Sequence, residues 1–421
     1  MHRIIAAFLA ATSCVAVAQA QDNLTAQQSV AAVFTLDDAV AAAGGSAPAA
    51  DAAQAGIDAA RAGRTVAGLR PNPTVQSQVE NVVGSGPYGG FRQAETTVGV
   101  NIPIELGGKR SARIAVADAQ SNRAVLIAAI TQADIRVQVT ALYIDAIAAE
   151  RRVVTARDQL RIAQDALNAA KVRVQAGRAS PIEEQRADVA RLNAQAGAER
   201  AARLADAARA NLARRIGKPI FGPLDTAVLD LLPPATYGPN SVESAGTLAM
   251  AAADADLAIA DAGVQLAKSQ RVPDVTVGPA LRRLEVSKDI AAVFSVSIPI
   301  PLFNSGRAAV AQASAERSRA EAQRRMTALD VEQAITDAQA EADNAATTAR
   351  NASGPALVAA QEAARIARVG YREGKFGQLD LLDAERTLAD TRVAAIDALA
   401  SYQNAKARLQ RLTAPAPEQG N

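Results

Sequence analysis

The chain has 421 residues, with 45 Lys and Arg against 43 Asp and Glu, 3% aromatic residues and no Trp. So few large side chains argue against an ordinary compact globule and suit long helices drawn close by Ala, the residue of highest helix propensity. A net charge of +2, mixed along the sequence, gives no case for a nucleic acid partner.

The N-terminus reads MHRIIAAFLAATSCVAVAQAQ. Basic His2 and Arg3, an apolar run from Ile4 to Ala18 and the triplet Ala18-Gln19-Ala20 predict a signal peptide over 1–20, too short and wrongly flanked for an anchor. The alternative is a lipobox ATSC, in which Cys14 is lipidated and becomes the first mature residue. Cleavage after Ala20 removes the only Cys and the only His, Cys14 and His2. Thiolate or imidazole metal sites, Ser-His-Asp triads, Cys-His pairs and HExxH helices are then impossible. Carboxylate, Lys or Ser chemistry has no glycine loop or strand-turn-helix context. No catalytic residue, cofactor or metal site is expected, and the chain is not expected to be an enzyme.

No run of 18 or more apolar residues follows the signal, so membrane-spanning helices are not expected. The order is instead a short helix from about Leu36, a Gly/Pro break at Gly44–Pro48, a helix to about Leu69, a strand pair, a long helix from Lys109 to about Ala176, a tip, and a returning helix to Ile216. From Ser241 the order recurs. Pro103 and Pro299 stand 196 residues apart, and Gly177 and Gly374 stand 197 apart, a common offset that marks a tandem duplication. Repeat one covers about 36–217 and repeat two about 241–412, joined by Gly217–Asn240. Strands are expected within about 73–104 and 272–301, and barrel-forming helices at 109–216 and 306–412.

The strands alternate. Val75, Val79 and Val83 oppose Thr74, Gln76, Gln78 and Glu80, and Thr96, Val98, Val100, Ile102 and Ile104 oppose Glu95, Thr97, Gly99 and Asn101. In the second copy Ile290, Ala292, Phe294, Val296, Ile298 and Ile300 oppose Ala291, Val293, Ser295, Ser297 and Pro299. Each run is about the 9–11 residues of a membrane β-strand with one lipid face and one wet face, although soluble hairpins share the pattern. Pro279, Arg282 and Arg283 weaken the third strand. Gly84–Gln93 and Val286–Asp289 read as surface turns. Four strands cannot close a barrel, and open edges are forbidden in hydrocarbon, so the chain must oligomerise to insert. Three copies would supply 12 strands.

The helix from Lys109 to Ala176 has 68 residues without a proline, roughly 100 Å at 1.5 Å each. Ile127, Ile130, Ile135, Val139, Leu142 and Ile147 follow the 3-and-4 spacing of packed helices. Arg307–Arg372 is its counterpart, with NASGP at Asn351–Pro355 expected to kink it. Gly177 and Gly374 permit the positive φ of a tight reversal, and Pro181 suits the first turn of the returning helix. Asp380 and Asp383 lie one turn apart on one face. They read either as paired rings in a trimer or as acids complementing the helix dipole.

The signal peptide, the two strand-plus-hairpin repeats and the tips VRVQAGRASPIEEQRAD and YREGKFGQLDLLDAERTL together resemble the TolC family of outer membrane efflux proteins, over about Leu36–Leu412. The resemblance implies a mainly α fold with a small β part. In it a trimer forms a 12-stranded transmembrane β-barrel, four strands per protomer, continued by a long periplasmic α-helical barrel. It places the chain in the outer membrane of a Gram-negative bacterium, surrounded by lipid, with a periplasmic membrane-fusion adaptor and an inner-membrane RND-type pump as partners. It also makes Gly177, Arg178, Gly374 and Lys375 the adaptor-docking tips, Asp380 and Asp383 acidic rings at the periplasmic entrance, and Glu183 and Tyr371 a gate lock. Phe376 replaces the basic residue some members carry, so a hydrogen bond from Tyr371 to Glu183 is expected in place of a salt bridge.

PNP at Pro71–Pro73 and PIELGGKR at Pro103–Arg110 look most like the outer membrane subunits of cobalt-zinc-cadmium type cation efflux systems. Drug or small-organic efflux and type I secretion are the alternative cargoes, and a periplasmic coiled-coil scaffold without a pore is a further class. Pro103, Gly107 and Gly108, and in the second copy Pro299 and Gly306, are read as strand-to-helix junctions.

Overall fold

Residues 33–234 and 244–417 are described in the computed structural model of the chain. The expected signal peptide, with His2 and Cys14, and residues 235–243, the end of the joint and the start of repeat two, lie outside the described residues. The first repeat contains α1 (Leu36–Ser46), α2 (Pro48–Ala67), β1 (Thr74–Glu80), β2 (Glu95–Ile104), α3 (Lys109–Gln175) and α4 (Pro181–Ile216). The second contains α5 (Leu248–Ser269), β3 (Val275–Leu284), β4 (Ile290–Ser297), α6 (Arg307–Asn351), a π segment (Ala352–Ala356), α7 (Leu357–Arg372) and α8 (Gln378–Leu412). The proline-free α3 runs unbroken for 67 residues, about 100 Å. Its counterpart is interrupted where NASGP falls, because Pro355 has no N–H for the helical ladder.

The main core lies around the middle of α3. Ile135, Val139, Tyr143, Ile144 and Ile147 pack with Leu212 and Ile216 of α4, Ile396 and Leu399 of α8, and Ala39 and Ala43 of α1. Tyr143 is fully buried and fastens three segments. Its hydroxyl donates to Phe34 O at 2.6 Å and accepts from the Asp225 amide at 2.9 Å. Burial pushes its pKa up to about 12, so it stays a neutral donor. Away from this core the helix pairs touch through small Ala-rich patches, Leu167, Ala170 and Ala187 in one hairpin and Ala360, Ala364 and Leu388 in the other. Small side chains there allow close approach at little apolar burial. One 18-residue window of α3 has mean hydropathy 1.4, enough by length and composition to cross a membrane. Polar residues are interspersed through it, so the high average arises without the uninterrupted apolar run of a membrane-spanning helix. The helix packs against α2, α4, α5 and α8.

The four strands form one antiparallel sheet in the order β1-β2-β3-β4, and the β2–β3 pairing joins the two repeats. Register sets Val75 opposite Val100, Val98 opposite Leu281, and Pro279 opposite Phe294, which gathers the apolar residues on one exposed face. Gln78, Thr97 and Arg282 align on the other face. There the Arg282 guanidinium meets Glu95 at 2.9 Å, Glu80 at 3.2 Å and Thr97 Oγ1 at 3.0 Å. The third strand therefore runs straight through the residues expected to weaken it. Arg282 is on the polar face with two carboxylates, and Arg283, near the turn, pairs with Glu285 at 3.4 Å. Pro279 costs only part of the β2–β3 ladder, which skips from Gly99↔Ala280 to Ile102↔Val277. β4 ends at Ser297, so Ile298 and Ile300 lie beyond the strand they were expected to extend. Pro299 and Pro301 preserve the alternation of side chains but offer no N–H to a partner. Among the described residues the outer edges of β1 and β4 pair with nothing.

Replacing Tyr143 with Phe leaves the core volume intact but removes the hydroxyl that Phe34 O and the Asp225 amide share, leaving them their 3.2 Å bond to each other. The expected result is a loss of about 1–3 kcal/mol in guanidinium unfolding, with helix content unchanged by circular dichroism.

Candidate functional site

Two places combine unusual backbone with charged groups, the strand-to-helix junction and the tip of the helical hairpins. At the junction, β2 carries Pro103 opposite Thr276 and ends at Ile104. Gly107 and Gly108 then take φ of +69° and +71°, turning the chain into α3. Gly107 also admits the end of α5 and the turn that follows it, since a Cβ there would stand 2.6 Å from Val272 Cβ and 2.9 Å from Ser269 O. Asp274 accepts from Lys109 Nζ at 2.7 Å and from the Leu106 amide at 3.1 Å. Glu105 and Arg113 form a two-point pair, with Nη2 to Oε2 at 3.1 Å, and Arg113 also donates to Ala67 O and Leu69 O. Arg110 donates to Gly68 O at 2.6 Å. The IELGGKR spelling thus supplies both the turn and the charges that clamp α2, β2, α3 and the approach to β3 together. The contact from Arg113 holds the Glu105 carboxyl below its usual range. Burial would raise that of Asp274, but Lys109 and the Leu106 amide outweigh it and lower it.

The second junction lacks this ionic clamp. Gly306 caps α6 with φ +72° and lies against Arg271, whose Cγ would be 2.7 Å from an added Cβ. Pro299 lies between β4 and that cap without strand pairing.

At the tip, the two repeats end their long helices in the same way. Arg178 N donates to Arg173 O at 2.8 Å and Gly177 N to Val174 O at 3.0 Å, while Lys375 N donates to Gly370 O at 2.8 Å and Gly374 N to Tyr371 O at 3.1 Å. Both are Schellman caps, and Gly177 and Gly374 hold the left-handed position at φ +67° and +71°. Arg178 and Lys375 follow them on exposed turns. Phe376 differs from a basic residue in a way the structure explains. Its ring lies directly on Gly370, where an added Cβ would come within 2.1 Å of it.

Asp380 and Asp383 are both exposed near the start of α8. Asp380 already has a local task, because its Oδ2 accepts from the Gly377 amide at 2.9 Å and closes the N-terminus of the helix. Asp383 makes no ion pair among the described residues. Tyr371 is 7% exposed, and Arg173 covers its ring at 4.8 Å. Its hydroxyl and Glu183 Oε2 are both buried without a hydrogen-bond partner, so the expected bond between them is absent within the protomer. Besides the Arg173–Tyr371 contact, Gln378 links the hairpins, its Nε2 donating to Glu183 O at 2.9 Å while its Oε1 is also unpartnered. Sequence reasoning missed Gln378. It also missed the fork between Arg368 and Glu385, in which Nη2 meets Oε2 at 2.9 Å. A groove of about 980 Å³ separates α3–α4 from α7–α8 here, lined by Asp158, Arg161, Arg372 and Arg392 among others. Asp158 pairs with Arg161 at 3.8 Å and with Arg392 at 3.7 Å. Among the described residues there is no group of three or more His, Cys, Asp or Glu able to hold a metal.

Comparison with known proteins gives this geometry a setting. The profile of the family described as "Outer membrane efflux protein" matches residues 40–218 and again 244–414. The chain is 30% identical over 385 residues to the cobalt-zinc-cadmium resistance protein CzcC of Cupriavidus metallidurans, covering 90% of each chain. It is 29% identical over 276 residues to the nickel-cobalt-cadmium resistance protein NccC of Alcaligenes xylosoxydans xylosoxydans, covering 64% of this chain and 61% of that one. Among solved structures, the outer membrane protein VceC of Vibrio cholerae superimposes with a TM-score of 0.72 at 18% identity, covering 90% of this chain and 96% of that one. CusC does so with a TM-score of 0.71 at 16% identity, covering 92% and 94%.

The junction clamp makes stability acid-sensitive. Both carboxyls are lowered in the folded state, so their contribution is present above their unfolded pKa values and is lost as pH falls through the folded ones. Thermal unfolding should fall steeply below about pH 4, and Asp274→Asn should lower the midpoint at pH 7 while flattening that acid limb. An acid limb of unchanged steepness in Asp274→Asn counts against the clamp.

Proposed function

The chain belongs to the outer membrane efflux protein family, and from that premise we propose that it is the outer membrane channel of a tripartite divalent-cation efflux system, assembled as a homotrimer. The observation that carries the channel reading is the four-stranded sheet with an apolar face, a polar face and two unpaired edges. Such a sheet is stable in hydrocarbon only when neighbouring copies complete a closed barrel. Three copies would give 12 strands, with Gln78, Thr97 and Arg282 facing the water-filled lumen and Val98, Leu281 and Phe294 facing lipid. The helices beyond the junction would carry the conduit into the periplasm. The cation assignment is supported by the resistance proteins with which the chain shares most of its length.

Conduction in this reading is passive and nothing is chemically transformed. An inner-membrane pump of the RND type supplies the energy, and a periplasmic adaptor docks on the tips at Gly177, Arg178, Gly374 and Lys375. Glu183 and Tyr371 belong to the closed gate, their two unpartnered buried groups being satisfied by neighbouring copies or by the adaptor. Three copies of Asp383, with Asp380 above its own cap, would form acidic rings that concentrate cations and repel anions.

Deletion of the gene should sensitise its host to cobalt, zinc or cadmium, with plasmid-borne wild type restoring growth. Sensitivity to small organic toxicants alone would move the assignment to drug efflux. In planar bilayers Asp383→Ala should reduce block by a multivalent cation about tenfold without altering helix content. Asp380→Ala should add a loss of about 1 kcal/mol in stability from the missing cap. Unchanged block in the double variant rules out the rings.

A further inference from the structure

The polar face of the sheet is almost free of charge. Register brings residues of one parity to it on every strand, from Thr74 and Asn101 near the helices to Glu80 and Glu95 at the far end. Among the described residues of the four strands only Glu80, Glu95 and Arg282 bring a charge to that face, and all three stand at the end farthest from the helices. Arg282 Nη1 meets Glu95 Oε2 at 2.9 Å, and its Nη2 crosses β2 to reach Glu80 Oε2 on β1 at 3.2 Å. The other Glu80 oxygen accepts from Gln78 at 3.1 Å.

Two features set this trio apart. Glu80 and Glu95 are direct cross-strand partners, a placement in which like charges repel. The repeats also diverge there. Thr74 pairs with Asn101 and its copy Thr276 with Ser297, so β3 follows β1 by 202 residues (276 − 74) and β4 follows β2 by 196 (297 − 101). On those offsets Glu80 corresponds to Arg282 and Glu95 to Ala291. Where repeat one sets two acids face to face, repeat two has a guanidinium beside a methyl group. A local rule broken at one end of an otherwise neutral wall points to function before folding.

We propose that Glu80, Glu95 and Arg282 form a charge-selective collar at the outer mouth of the barrel, which passes cations in preference to anions. The inference rests on the channel reading and gives the barrel end a selectivity of its own, separate from the tips. Two carboxylates and one guanidinium leave one negative charge per copy, hence three around a trimer. Twelve strands about 4.8 Å apart and tilted by about 40° close a wall of roughly 12 Å radius, which sets the collar within about 10 Å of the axis. That matches one Debye length at about 0.1 M salt, and three such charges favour a monovalent cation over an anion about fourfold. Arg282 keeps the collar weak. Without the guanidinium, paired carboxylates alone would ring the mouth and hold a divalent cation on its way out. Beyond the collar the exposed turns carry Arg92, Glu285, Lys288 and Asp289, and Arg283, of the opposite parity, pairs with Glu285 at 3.4 Å.

The test is the reversal potential of the full trimer in planar bilayers, under a KCl gradient held below about 0.1 M so that the Debye length spans the mouth. Every chain carries Asp380→Ala and Asp383→Ala, which removes the acids of the opposite end, and the turn charges stay as they are. Against that background Arg282→Gln should raise the cation-to-anion permeability ratio about fourfold, and Glu80→Gln should lower it about fourfold. Glu80→Gln with Glu95→Gln should lower it about sixteenfold, whereas Arg282→Lys, which keeps the charge, should leave it in place. The steps should shrink towards nothing at about 1 M salt, where screening acts within about 3 Å. Should Arg282→Gln fail to assemble, Glu80→Gln decides, because Arg282 then keeps Glu95 as its partner. A conducting trimer whose reversal potential ignores these changes, or moves against the stated order, overturns the collar. A preparation that does not conduct at all condemns the channel reading instead.

Discussion

The backbone N–H and C=O groups along the outer edges of β1 and β4 are the constraint on which everything else depends. Each edge group left unpaired in hydrocarbon costs several kcal/mol. A protomer with four strands and two bare edges therefore cannot insert alone, however apolar its outer face. The sheet is built for that outcome. Gly99, Gly278 and Ala280 leave room on the polar face, where an added Cβ at Gly278 would meet Ser295 Oγ at 2.4 Å and Asn101 Oδ1 at 2.6 Å. Small residues at such points let a sheet curve into a closed wall.

A curved sheet must still be coupled to helices running nearly 100 Å away from it, and the coupling is electrostatic as well as steric. Lys109, Arg113 and Arg110 are the first charges of α3, and each finds an acceptor on a different segment, so the helix direction is fixed relative to the sheet. Duplication accounts for the doubled plan, and divergence for its asymmetry. The first copy kept the ionic junction and unbroken helices, while the second has glycine and proline turns at its junction and a π segment in its long helix. The unbroken copy and the interrupted copy then meet at the tip through Gln378 and Glu183.

Much of this was legible in the sequence because the signals are local. A proline-free Ala-rich stretch defined α3, alternation defined the strand faces, and the two glycines marked the reversals. The failures share a cause. Arg282 reads as a strand breaker because its partners Glu80 and Glu95 sit on strands about two hundred residues away in sequence. Ile298 and Ile300 kept the period of a strand after prolines had removed its hydrogen bonds. At the tip, the pair of Tyr371 and Glu183 came from resemblance, and the protomer leaves both unpaired. Gln378 carried no pattern to find, since its task exists only where two hairpins meet. The role of Asp380 as a cap was readable from an acid at the third position of α8.

Cross-linking between the bare edges tests the central claim most directly. Single cysteines placed along β1 at Val75, Ser77 or Val79 are combined with single cysteines along β4 at Ala292, Phe294 or Val296, and membranes are oxidised before denaturing electrophoresis. The account predicts that one register of pairs cross-links, only between protomers, in a ladder that stops at three chains in the outer membrane fraction. A ladder that stops at two chains or runs on without limit, or an uncross-linked chain recovered as a soluble monomer, contradicts it.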